Sequence, residues 1–221
     1  QALSRRARRE IVSFHLFTAP WLLGFVFLSI IPLLLGLATS FTDYNGLNLP
    51  TLRFVGAENY QRALTSPDFW ISLGNSAKYA ILAVPVGLTL SLLLAVLLNQ
   101  PIPGRDLFRV LYYIPSILPI AGAARAWSLM FNQNAGLVNA VLSIFRPGTA
   151  IHWVNEYFIP LLYLYSWWQI GGGMVLFLAG LQGIPTELYE AAQLDGSGRV
   201  STFRRITLPL VSPVIFFQLI M

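Results

Sequence analysis

Charge is missing from long stretches of this chain, and that restricts its fold more than any motif does. No Asp, Glu, Lys or Arg lies between Glu10 and Asp43, between Lys78 and Arg105, or between Glu156 and Glu187. Each run exceeds the roughly 20 apolar residues that cross a hydrocarbon core. Backbone in hydrocarbon must satisfy its own hydrogen bonds, which leaves helices or closed barrels. The runs are continuous rather than alternating, which disfavours a barrel. The sequence therefore predicts an all-α polytopic membrane protein. Composition agrees: 10% of residues are charged, against about 25% in soluble domains.

Several chemistries are disfavoured at once. There is no cysteine, so no disulfide, iron–sulfur cluster or cysteine-based zinc site can form. His15 and His152 have no metal-ligand spacing and are expected at the membrane interface. Gly171-Gly-Gly173 is not followed by Lys-Ser/Thr, so the chain is not expected to bind nucleotide. No cofactor or metal is expected. The net charge is +5, but the basic residues flank apolar runs, which points to orientation in the lipid bilayer and not to nucleic acid.

Membrane helices are expected at about 14–41, 79–98, 108–131 and 158–183, with a fifth starting at 208 and ending too soon to cross at 221. The first holds Pro20 and Pro32 and should bend. It is too long for a signal-peptide core. Between helices one and two, turns are expected at 43–46 and 48–50, then a short amphipathic helix ending near Leu64. Ser66-Pro67 suits the start of a further helix at Asp68. Arg125 is the one charge inside the third helix. At 1.5 Å rise per residue it should reach the far interface and snorkel, although a charge within a span is also a candidate for ligand binding. Between helices three and four a short helix is expected at 137–145, with a break at Pro147-Gly148.

One polar stretch, from Glu187 to Pro209, organises the rest. Its spaced pattern is Glu190-Ala191-Ala192, three residues, Gly196, nine residues, Ile206, one residue, Leu208-Pro209. Physically it suggests two short helices joined at glycines. Pro185 suits a first helical position, with Glu187 and Glu190 near the positive helix end. Ala191 and Ala192 leave a low surface for close approach. Gly196, Ser197 and Gly198 let the chain reverse. Val200, Phe203 and Ile206 fall on one side of the second helix, and Pro209 should end or bend it.

The pattern resembles the EAA loop of the permease subunits of ATP-binding-cassette importers. Phe54-Val-Gly-Ala-Glu-Asn-Tyr60, with Phe69-Trp70 and Asn75-Ser76, resembles the sugar-permease branch of that family. The resemblance implies a type I importer transmembrane fold, with residues 1–221 one permease domain and 184–208 its cytoplasmic coupling loop. Family members usually continue beyond the fifth helix, so the chain is expected to be truncated at its C-terminus. The implied partners are a dimeric cytoplasmic ATPase, a second permease subunit and an extracytoplasmic solute-binding protein, met near Asn45 and Asn132. The ATPase would carry the catalysis, and this chain would not be an enzyme. The implied location is a bacterial or archaeal plasma membrane. By the same resemblance Glu190 pairs with a basic group on the ATPase, Ala191 and Ala192 permit contact, Gly196 sets the turn, and Ile206, Leu208 and Pro209 complete the docking element.

Orientation follows independently from charge. Arg5, Arg6, Arg8, Arg9, Arg105, Arg109, Arg199, Arg204 and Arg205 fall on one side of the expected helices, and Arg53, Arg62, Lys78, Arg125 and Arg146 on the other. The positive-inside rule places the N-terminus and the Glu190 loop in the cytoplasm.

For a solute site, Trp167, Trp168 and Gln169 combine aromatic faces with an amide halfway along the fourth helix. Gly171–Gly173 weaken that helix and should open space beside it. Gln169 should face the bundle interior. In the maltose-type permease this helix lines the sugar site, and its contacts align near Gln169 and Gly172, with different residue types. Packing by small residues, with the tryptophans toward lipid, is the competing reading. Tyr163, Ser116 and Asn132 are further candidates. Permeases for other solutes share the loop. A secondary transporter would want carboxylates inside the membrane, and no Asp or Glu lies in a span. An intramembrane enzyme would want clustered nucleophile and base, and none is clustered.

Overall fold

The computed structural model describes residues 5–47, 52–148 and 150–221, so the turn expected at 48–50 lies outside them. The chain divides into two compact units, 1–74 and 75–221. The regular structure of the described residues is helical, apart from one antiparallel bridge between Thr42 and Phe54.

The first unit opens with α1 (Arg5–Phe25), a π-helical turn at Val26–Ile30 and α2 (Ile31–Thr39). Arg9–Thr39 is long and apolar enough to span a membrane. The π-turn has a local cause. Pro32 has no N–H and its ring would crowd the carbonyl four residues back. Widening the preceding turn lets the Ile31 N–H bond to the Val26 carbonyl instead, the usual form of a π-bulge. After α2 the chain reverses through Gly46, whose φ of +92° favours glycine. Asn59 knots this loop by donating to the carbonyls of Ser40 (3.0 Å) and Thr42 (2.7 Å). It sits on α3 (Glu58–Thr65), where Glu58 and Arg62 pair one turn apart.

α4 (Pro67–Leu98) begins at the expected proline but does not stop before the second span. The further helix expected at Asp68 and the membrane helix expected at 79–98 are one element of 32 residues. Lys78 is a good helix former, and a single Asn75 costs under about 1 kcal/mol, too little to stop the helix.

The second unit contains α5 (Arg105–Ile117), α6 (Ile120–Met130), α7 (Leu137–Phe145), α8 (Trp153–Glu156), α9 (Phe158–Trp168), α10 (Gly171–Gln182), α11 (Thr186–Leu194), α12 (Arg199–Thr202), a π-turn at Phe203–Thr207 and α13 (Leu208–Ile220). The third helix expected at 108–131 is not continuous. α5 and α6 meet at 97°. Pro119 forces the preceding residue out of the helical region, and Leu118 is extended at φ −69°, ψ 139°. The helical-rise estimate that carried Arg125 to the far interface fails across this bend.

Among the described residues four helical stretches are long and apolar enough to cross a membrane, and the bent α5–α6 pair would make a fifth. α10 lies at the centre of the packing. Met174, Phe177, Leu178 and Leu181 on α10 are buried with Leu92, Ala95 and Leu98 of α4 and Val211 of α13. Elsewhere large apolar side chains are exposed, as on α1 and α2, which suits a chain solvated by lipid.

Candidate functional site: a capped hairpin and an aromatic cavity

The hairpin is built from α11 outward. Pro185 is the residue before the first helical turn, one place earlier than expected, and Thr186 opens the helix. At the far end Gly196 takes φ +71°. Its N–H reaches the Gln193 carbonyl (3.0 Å), and the Ser197 N–H reaches the Ala192 carbonyl (2.8 Å). This pair of bonds is a Schellman cap, which requires a left-handed residue at that position. Ala192 is buried, whereas Glu190 and Ala191 are exposed on the outer side. The apolar side chain of Leu194 is 89% exposed at the tip.

The second arm departs from expectation. α12 does not remain a short helix ended by Pro209. It runs through the π-turn into α13, so Arg199–Ile220 is one membrane-length helix. The Leu208 N–H bonds to the Phe203 carbonyl. The spacing to Pro209 repeats that between the first π-turn and Pro32, and the cause is the same missing N–H. The extra residue also resets the helix face. Val200 is 67% exposed, Phe203 and Ile206 are half-buried, and Thr207 is buried. Thr207 Oγ1 lies 3.1 Å from Tyr189 Oη, tying the two arms together. Leu208 and Pro209 start α13, both exposed. The seven expected docking residues are thus on one hairpin, but only Glu190, Ala191, Leu208 and Pro209 present exposed side chains there.

Near the middle of the fourth span the chain breaks at Gln169 and restarts at Gly171. Trp167 and Trp168 line a cavity of about 740 Å³ together with Phe108, Tyr112, Pro115 and Trp127. Tyr163, Gln169 and Gly172 are not on its wall. The Tyr163 ring stacks between Tyr79 (5.4 Å) and Trp167 (5.6 Å), and its hydroxyl donates to the Lys78 carbonyl at 3.2 Å. The hydroxyls of Tyr79 and Ser166 are also hydrogen-bonded. Gln169 points inward as expected: its Nε2, with Trp167 Nε1 and Tyr165 Oη, is buried without a protein partner. Three such atoms around one helix break call for a polar ligand or water.

The glycines do the reverse of opening space. A Cβ on Gly173 would stand 2.6 Å from Gln218 Oε1 and 2.8 Å from Ser91 Oγ, and one on Gly180 2.8 Å from Val214 Cγ2. They are where α4, α5 and α13 close on α10, the small-residue packing that membrane helices use. Gly172 has ordinary room, 3.6 Å to Ser116 Cβ. Ser116 itself donates to the Tyr113 carbonyl. Sequence reasoning passed over Ser91, whose buried hydroxyl donates to the Ile170 carbonyl at 3.2 Å. A lone hydroxyl in an apolar helix was the available signal. It also passed over Trp127, whose place in the cavity depends on the α5–α6 bend.

A membrane-helix bundle with an exposed, rigidly capped polar hairpin has the build of a transport-system membrane component. Residues 87–221 match the family described as binding-protein-dependent transport system inner membrane component. The probable ABC transporter permease protein YesP of Bacillus subtilis is 36% identical over 99% of this chain and 71% of its own length. The trehalose/maltose transport system permease protein MalF of Thermococcus litoralis is 36% identical over 78% of this chain and 59% of its own. A solved bacterial ABC transporter involved in import of the acidic polysaccharide alginate superposes with a TM-score of 0.80, covering 98% of this chain and 74% of that one at 24% identity. The chain belongs to the binding-protein-dependent inner membrane component family, and its fold is that of an ABC importer permease.

Proposed function

We propose that this chain is the permease subunit that forms part of the translocation path for a sugar or related small solute. A cytoplasmic ATPase drives it through the hairpin. The observation that carries this reading is mechanical. Glu190 and Ala191 stand exposed on a helix whose end is locked by the Gly196 cap, and whose other arm continues without a joint into the membrane-length helix Arg199–Ile220. Force applied to such a hairpin moves a membrane helix. ATP binding in the partner would pull the hairpins together and bias the path outward, and hydrolysis would reset it.

Sugar as the solute is supported by relatives whose names specify trehalose/maltose and arabinooligosaccharides, and by the Trp167–Trp168 wall beside buried, unpartnered polar atoms. Tyr163, Gln169 and Gly172 belong to the proposed site, supported for Tyr163 by its stacking on Trp167 and for Gln169 by its unpartnered Nε2. A solute-binding protein as partner is supported by a related alginate transporter solved with its periplasmic protein. A second permease subunit completes the assembly. The charge asymmetry supports a cytoplasmic N-terminus and hairpin. Residues 1–221 are read as one permease domain, with 184–208 its coupling loop.

The test is ATP-driven sugar uptake by the complete importer in vesicles. Glu190→Lys and Gly196→Pro are expected to abolish uptake while leaving the chain in the membrane. Normal uptake by either variant would remove the docking role.

A further inference from the structure

The stretch between α6 and α9 forms a second pocket, of about 300 Å³, walled by Phe131, Asn132, Gln133, His152, Trp153 and Asn155 among others. That volume is at the low end of the roughly 300–1,000 Å³ found for small-molecule sites. Asn139 underlies it. It is buried and donates to the Gln133 and Ile151 carbonyls, both at 2.9 Å. It also accepts the Trp153 Nε1–H at 2.8 Å. That bond occupies the indole N–H and leaves the Trp153 ring as an apolar wall. Asn132 Oδ1 accepts the N–H groups of Asn134 and Ala135, which leaves its NH₂ group. The side chains of Gln133, His152 and Asn155 make no hydrogen bond to described protein atoms. No Asp, Glu, Lys or Arg lines the pocket.

From this pocket the rings continue to the cavity described above. Trp153 meets Phe131 edge-on at 5.9 Å, Phe131 stacks on Trp127 at 5.2 Å, and Trp127 meets Trp168 at 5.6 Å. Trp127 and Trp168 belong to the cavity wall.

We propose that the Trp153 pocket is a first binding subsite for a neutral pyranose ring, outside the inner cavity. This rests on the sugar-permease reading and adds where the solute is first held. A pyranose has an apolar C–H face that packs on an aromatic ring. Its hydroxyls both donate and accept, as do the amides of Gln133 and Asn155. An anionic solute would favour a Lys or Arg, and neither lines this pocket.

The experiment uses the complete importer in vesicles, with radiolabelled maltose, maltotriose and xylotriose as probes. Gln133→Ala and Asn155→Ala are expected to raise KM about tenfold, the loss of roughly one good polar contact, with kcat changed less than about twofold. Trp153→Ala should do the same, and Trp153→Phe, which keeps a ring, should recover most of the affinity. Unchanged KM in all four variants overturns the subsite. So does a KM rise matched by weaker capture of the sugar-free solute-binding protein, which would make the pocket a protein-docking surface. If the unmodified importer takes up none of the three sugars, the sugar-permease reading falls first and the subsite with it.

Discussion

A side chain of any size on Gly171 would collide with the carbonyl oxygen of Tyr112. The backbones of α5 and α10 touch at this point, with no side chain between them. Gly171→Ala must push the helices apart. The expected cost is about 1–3 kcal/mol, as for other overpacked sites, measured as a lower unfolding temperature of the purified chain in detergent. Gly172→Ala is the control. Its Cβ would meet Ser116 at an ordinary 3.6 Å, and its stability should stay within about 0.5 kcal/mol of the unmodified chain.

The hairpin offers a similar contrast. Gly196 sits at φ +71° with open space around it, so only backbone conformation opposes a side chain. Gly196→Ala should cost about 1–2 kcal/mol, the left-handed penalty for an L-residue. It should weaken hydrogen-exchange protection of the Ser197 amide. Gly198 is extended at φ −71°, ψ 159°, and Gly198→Ala should leave that protection unchanged. If the hairpin transmits force, ATP-driven uptake should fall with Gly196→Ala alone.

Arg109 closes the end of α4. Its Nη2 donates to the Leu98 carbonyl at 2.7 Å and its Nη1 to Asp106 at 3.2 Å. A cation on a helix C-terminus is favourable. Its Nε, however, is buried without a partner. Arg109→Met removes the orphaned donor along with the useful ones, so the net loss should be only about 1 kcal/mol. The check is faster proteolysis of the 99–104 turn. Asp106→Asn should have little effect, because Asp106 is 80% exposed and such pairs contribute little.

Asn139 holds the loop between α6 and α8 through its bonds to Gln133, Ile151 and Trp153. Asn139→Leu has similar bulk but leaves two carbonyls, the indole N–H and the Ile151 N–H without their Asn139 partner. The expected loss is about 3 kcal/mol, seen as increased protease cutting between α7 and α8. Asn139→Asp keeps the acceptor for Trp153 but sets a buried carboxyl oxygen against two carbonyls, so it should cost at least as much as Asn139→Leu.

Much of this protein can be read from its residue order. The uncharged runs dictate membrane helices because hydrocarbon offers no partner to a charge or to an open backbone. Leu137–Phe145 emerged with its expected ends, since its apolar periodicity and the flanking Gly136 and Pro147 act locally. The turn at Gly196 was equally legible, because left-handed backbone selects glycine wherever it occurs. The effects of Pro32 and Pro209 were legible as to place and not as to kind, and the break at Pro119 was not legible at all. Pro119 breaks its helix by 97°, whereas Pro32 and Pro209 each follow a π-turn inside a continuous one. What separates them is the residue before each proline: Leu118 is extended, whereas Ile31 and Leu208 stay helical with their N–H bonded five residues back, and only the folded chain shows which occurs. The same holds for Gly171 and Gly173, which the sequence cast as room for a ligand and the folded chain uses for helix contact. A missing Cβ permits either outcome. Only the distance to the next helix decides between them.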